Sequence, residues 1–133
     1  MGDASLSYDA ETDLESITVT GEVSAADIIG VTHQKGFGTG RKKLWDFSRS
    51  DLSGITTEDV ISVLERFKEL DATNKAQATA VVVKNQADEV LINLFKATSK
   101  DILNRTMPIH VTTSKSDALE WLEAIVQPKK QAS

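Results

Sequence analysis

RKKLWDFS, residues 41–48, is a short apolar stretch with a basic entrance and a polar exit. Leu44, Trp45 and Phe47 are too continuously apolar for a sheet with one wet face, which predicts an interior, parallel strand. Asp46 is the exception within it. A carboxylate in that setting must be hydrogen-bonded or lie at the rim. It either caps the following turn or belongs to a site.

Downstream, Thr56 with Asp59 caps a helix carrying Val60, Val63, Leu64, Phe67 and Leu70 at 3.6-residue spacing. A polar loop over 71–77 leads to Ala78–Val83, a second buried strand. Asn85 with Asp88 opens the next helix, with Val90, Leu91, Leu94 and Phe95 as its buried stripe. The segment from Thr98 to Thr106 reads as a loop or loose turn. Pro108 introduces a last strand, Ile109 to Val111. Ser114 with Asp117 opens a final helix with Ala118, Leu119, Leu122 and Ile125 on one face, ended by Pro128.

Upstream, residues 5–20 read as a hairpin in which Leu6 and Tyr8, then Ile17 and Val19, alternate with polar residues around a turn from Asp9 to Asp13. Ser24 with Asp27 caps a helix carrying Ile28, Ile29 and Thr32. Ser48 with Asp51 and Thr98 with Asp101 show the same cap spacing, so the signature supports boundaries without establishing them. The loop Gly36-Phe37-Gly38-Thr39-Gly40 resembles a phosphate cradle. Phosphate loops run from strand to helix, whereas this one runs from helix to strand, so it reads as a flexible surface connection.

The alternation of strands and helices predicts one α/β domain over 1–127, a mixed sheet of about five strands with four helices and an N-terminal β-hairpin. Residues 128–133 read as a disordered tail. Fifteen Lys and Arg against twenty Asp and Glu give −5, the wrong sign for a nucleic-acid partner. The absence of cysteine excludes disulfides and thiolate metal sites. No run approaches the ~20 apolar residues of a membrane span, and the acidic N-terminus does not read as a signal peptide. A cytoplasmic protein is expected.

His33 and His110 lie in no metal-binding spacing, and no cofactor is expected. Glu58-Asp59 and Asp88-Glu89 are ordinary first-turn acids. Trp45 and Trp121 read as core residues whose indole N–H groups need partners.

The stretches TGEVSAADI, KKLWDFS followed by ITTEDV, AVVVK and DALEWLEA resemble the SpoIIAA-like family, related to STAS domains, over nearly the whole chain. The resemblance implies a STAS-type sheet, itself similar to CRAL-TRIO lipid-transfer domains, and a non-catalytic role. Two roles follow: a regulatory, protein-binding module, or a carrier or sensor of a small apolar or acyl ligand in a CRAL-TRIO-like cavity. STAS anti-sigma antagonists carry a phosphorylated serine in an Asp-Ser-Ser-Gly type motif at the start of the helix after the central strand. Thr57 falls nearest that serine here, but Glu58 and Asp59 follow it and would repel a phosphate. Thr56 reads as a helix cap contributing ~1 kcal/mol.

In open α/β sheets, sites form at the carboxyl ends of parallel strands. That edge should gather Asp46, Ser48 and Arg49, then Thr56 and Thr57, Asn85 and Gln86, and Ser114. Arg49 is the expected charged contact, with Asp46 orienting the loop. The glycine loop should lie at the opposite edge, about 20 Å from Ser48. The expected partner is another protein or a second copy of the chain in a homodimer.

Overall fold

The computed structural model describes residues 2–70, 73–103 and 107–126. The tail expected over 128–133 lies outside the described residues. A five-stranded sheet runs in the order β1-β2-β3-β4-β5. Its strands are β1 (Asp3–Asp9), β2 (Leu14–Glu22), β3 (Lys42–Asp51), β4 (Ala78–Val83) and β5 (Ile109–Thr112). The helices are α1 (Ala25–Thr32), α2 (Thr57–Leu70), α3 (Gln86–Leu103) and α4 (Lys115–Ile125). β1 and β2 form the antiparallel hairpin, and β2 to β5 are parallel, as helical crossovers require.

All four helices start where the Ser, Thr or Asn caps predict. Ser24 and Asp27 form a full capping box on α1. Thr56 and Asp59 exchange the same two hydrogen bonds ahead of α2, at 2.9 and 3.1 Å. The Asn85 side chain accepts the Asp88 N–H at 2.9 Å, and the Ser114 hydroxyl accepts the Asp117 N–H at 3.2 Å. The two further matches are not helix starts, since Ser48 and Asp51 lie in β3 and Thr98 and Asp101 in α3. The loop expected from Thr98 is absent through Leu103, because α3 continues there. The Thr98 hydroxyl donates to the Leu94 carbonyl, which lets a threonine sit inside a helix.

Rows of side chains cross the sheet in register. Ile17, Trp45, Val81 and Val111 form one row, facing α1, α2 and α3. Leu44, Ala80 and Val82 face the other way, onto Ala118 and Leu122 of α4 and Val126 just after it. The two helical layers differ in depth. α4 packs closely on β3, β4 and β5, whereas α2 has its near neighbours in α1 and α3. A layer of aromatic rings lines the space beneath α2: Trp45 stacks on Phe47 with centroids 5.9 Å apart, and Phe67 meets Trp45 at 5.9 Å and Phe95 at 6.1 Å.

Only part of the stripe expected on α3 is buried. Leu91, Ile92 and Phe95 turn inward, while Val90 and Leu94 are 70% and 63% exposed. With α3 packed on one flank, its inward arc is too narrow to take in all the apolar positions.

Candidate partner-binding edge

β3 runs to Asp51 rather than stopping at Phe47, so Ser48 and Arg49 are strand residues and not loop residues. Thr18 pairs with Asp46 and Thr20 with Arg49, so β3 spends three residues where β2 spends two. This is a β-bulge, which leaves backbone groups out of the ladder. Asp46 repairs it: one carboxylate oxygen accepts the Ser48 N–H at 2.9 Å and the Ser48 hydroxyl at 2.6 Å. The Ser50 hydroxyl donates to the Val19 carbonyl across the same irregularity. Beyond Phe47, which pairs with Val83, β3 overhangs β4 and continues its ladder with β2 among the described residues.

The expected residues share the carboxyl edge but divide between its two sides. Asp46 and Arg49 lie in register with Thr18 and Thr20, on the side covered by α4, which Ser114 caps. Thr56, Thr57, Asn85 and Gln86 begin α2 and α3 on the other side. Asp46, Thr56, Asn85 and Ser114 spend their side-chain oxygens on backbone N–H groups. Arg49 and Thr57 are exposed, and no hydrogen bond or ion pair engages the Arg49 guanidinium among the described residues. One oxygen of Asp88, in the first turn of α3, is buried without a hydrogen-bond partner.

Beside Ser114, Asp117 meets the His110 imidazole at 2.9 Å, and His110 stacks on Trp121 at 5.1 Å. The hydrogen bonds of His110 and then Thr112 hold the Asp117 carboxyl below its ordinary range. Among the described residues no group of three or more His, Cys, Asp or Glu could hold a metal ion.

The glycine loop is not a loose surface connection. Gly38 and Gly40 are buried, and their N–H groups point at the carboxylate of Glu15, which is 0% exposed. Gly38 donates to both carboxylate oxygens, at 3.0 and 3.1 Å, and Gly40 to one at 3.0 Å. The resemblance to a phosphate cradle has a physical basis: the loop cradles an anion supplied by its own chain. Lys43, the register neighbour of Glu15, lies 3.7 Å from that carboxylate, 3.8 Å over the Phe37 ring and 3.2 Å from Asn74 Oδ1. Sequence reasoning passed over Glu15, yet the inward alternation of Ile17 and Val19 lands on it one step earlier.

Asp13 fastens the loop's other end. Its carboxylate takes the Arg41 guanidinium and, at 2.7 Å, the Tyr8 hydroxyl, and its carbonyl accepts the Lys42 N–H at 3.2 Å. Burial pushes the Asp13 carboxyl up, but the hydrogen bonds of Arg41 and Tyr8 outweigh it and hold the group below its ordinary range. The bond to Asp13 in turn raises the Tyr8 phenol. The backbone at Asp13 is left-handed, with φ 54°, a conformation aspartate tolerates.

Between the sheet and α2 and α3 lies a cavity of about 90 Å³, walled by Trp45, Phe47, Val81, Phe67, Leu91 and Phe95 among others.

No protein-family model and no curated protein matches the chain. An open α/β sheet with an N-terminal hairpin and three parallel crossovers nevertheless defines a structural class, and solved structures share it. One is a DUF3478-family protein with a SpoIIAA-like fold from Shewanella loihica PV-4, with a TM-score of 0.60 and 12% identity over 92% of this chain and 95% of that one. Another is an anti-sigma factor antagonist from Mycobacterium paratuberculosis, with a TM-score of 0.57 and 13% identity over 92% and 94%. The chain has the SpoIIAA-like fold. These structures lend no support to the CRAL-TRIO resemblance. Among the described residues no helix is long and apolar enough to cross a membrane.

Proposed function

We propose that the chain is a non-catalytic regulatory module of the STAS type, acting in the cytoplasm by binding a protein partner across its carboxyl edge. The observation that carries this reading is the exposure of Val90 and Leu94, large apolar side chains one helical turn apart that belong to neither core cluster of the described residues. They lie in the first half of α3, beside the edge where Thr57 and Arg49 stand open to solvent. Arg49 supplies the charged contact, Asp46 and Ser48 hold the bulged strand that presents it, and Thr56 and Asn85 fix the starts of α2 and α3 on the other side of the edge. Ser114 borders the patch from the α4 side.

The split of these residues between the two sides of the sheet, whose layers stand ~10 Å apart, suits a macromolecule that straddles the edge better than one small ligand. That a protein of this fold is an anti-sigma factor antagonist supports action through a protein partner. The cavity beneath α2, at about 90 Å³, is too small for a long acyl chain, since ligand pockets hold several hundred Å³.

The test is affinity capture from source-cell extract, followed by reconstitution with the purified partner. A variant combining Val90→Asp and Leu94→Asp should weaken the complex about tenfold or more, and Arg49→Ala by less. Sedimentation of the chain alone shows whether the partner is a second copy. If no protein, the chain itself included, loses affinity for the double variant, the reading fails.

A further inference from the structure

The cavity beneath α2 has a polar end. The row Glu15, Lys43, Thr79 and Ile109 crosses the sheet there, one step before the row that contains Trp45 and Val81. Lys43, Thr79 and Asn74 line the cavity at that end, Asp59 lines it from the first turn of α2, and the rest of its wall is apolar.

One buried hydrogen-bond donor in this wall lacks a good acceptor. Thr79 is 7% exposed, and its hydroxyl is aimed at the Met107 sulfur, 3.5 Å away, which is a weak acceptor. Buried hydroxyl donors ordinarily find oxygen acceptors. The cavity that Thr79 lines is the place where one is missing.

We propose that this cavity is a binding site for a small, neutral, ring-sized molecule carrying one hydrogen-bond-accepting oxygen, with the ring among Trp45, Phe67 and Phe95 and the oxygen received by Thr79. Neutrality follows from the charge already present: Glu15 stands 3.7 Å from the Lys43 ammonium, and an added anion would meet that carboxylate. Size follows from the volume. An apolar cavity of about 150 Å³ holds benzene, so a ring enters about 90 Å³ with a small outward shift of the wall. α2 stands off the sheet, and Leu91, Ile92 and Phe95 of α3 are only half-buried, so this wall is the one able to move. The inference does not depend on the protein-binding reading.

The probes are phenol and toluene, which match in size and differ by the oxygen, titrated against the full chain and followed by methyl NMR. Phenol should give saturable shifts at the methyls of Val81, Leu91 and Ile92 and bind more tightly than toluene. Thr79→Val, close in shape, should weaken phenol about fivefold to tenfold and leave toluene unchanged. Ile92→Phe should remove both, and the surface change Asn93→Ala neither. No saturable shift at those methyls, equal binding of the two probes, or an unchanged preference in Thr79→Val would each overturn the proposal. Thr79→Val keeps the test decisive even if Ile92→Phe does not fold.

Discussion

Glu15 and Gly40 stand so close that a β-carbon on the glycine would lie 2.8 Å from the Glu15 Cβ and 2.9 Å from its backbone nitrogen. The loop is closed around that carboxylate, and neither group has room to retreat. Gly40→Ala should therefore destabilise the protein by about 1–3 kcal/mol in urea unfolding, as overpacking does. A change below about 0.5 kcal/mol would show that the loop is looser than the contact implies.

Glu15→Gln keeps the shape and removes the charge facing Lys43, leaving a buried ammonium without its carboxylate. The expected loss is about 3 kcal/mol. The companion exchange Lys43→Met should partly restore the Gln variant, because it removes the uncompensated cation. Strictly additive losses in that double-mutant cycle would contradict the coupling.

Asp13 sets an acid-side dependence. Its carboxyl lies below the ordinary range when folded, so it contributes stability above its unfolded value near ~3.9, and that contribution is lost as pH falls through the folded value. Asp13→Asn tolerates the same left-handed backbone and should be less stable than the native chain at about pH 6, with the difference narrowing toward about pH 3. Parallel stability curves for the two proteins would count against the Asp13–Arg41 pair as the cause.

Thr56 and Thr57 are adjacent but should behave differently. Thr56→Ala removes a hydroxyl that accepts the Asp59 N–H and should cost about 1 kcal/mol. Thr57→Ala, at an exposed position, should stay within about 0.5 kcal/mol. With Glu58 and Asp59 beside it, Thr57 is not expected to serve as a phosphoswitch. Stoichiometric phosphorylation there by a partner kinase would contradict that.

Leu91 and Leu94 offer the same contrast on α3. Leu91→Ala should cost about 2 kcal/mol or more, since it enlarges the cavity. Leu94→Ala should be nearly neutral in thermal unfolding, because a largely exposed leucine loses little on truncation and alanine favours the helix.

The helix starts and the parallel order of the strands were legible because both rest on local patterns: a cap three residues before an acid, and β-branched runs too apolar for a wet face. Ser48 and Thr98 show the limit of such patterns, since the same spacing occurs inside a strand and inside a helix. Val90 and Leu94 show another: periodicity finds an apolar arc, but how much of it is covered depends on where α3 settles. Glu15 and Gly38 are 23 residues apart, so no local pattern could pair them. The bulge that places Arg49 on the α4 side was equally hidden, because it exists only in the register between two strands.

The unequal depth of the two helical layers has a mechanical consequence. Compression favours whichever state eliminates internal void, and the cavity lined by α2 and α3 lies on one side of the sheet. Hydrostatic pressure should therefore loosen α2 and α3 before it disturbs α4, and amide exchange under pressure should rise first on that side. The sheet with α4 would then act as a stiff plate carrying a compliant cover, so force applied at Val90 and Leu94 would be absorbed by the aromatic layer rather than passed on to the far face.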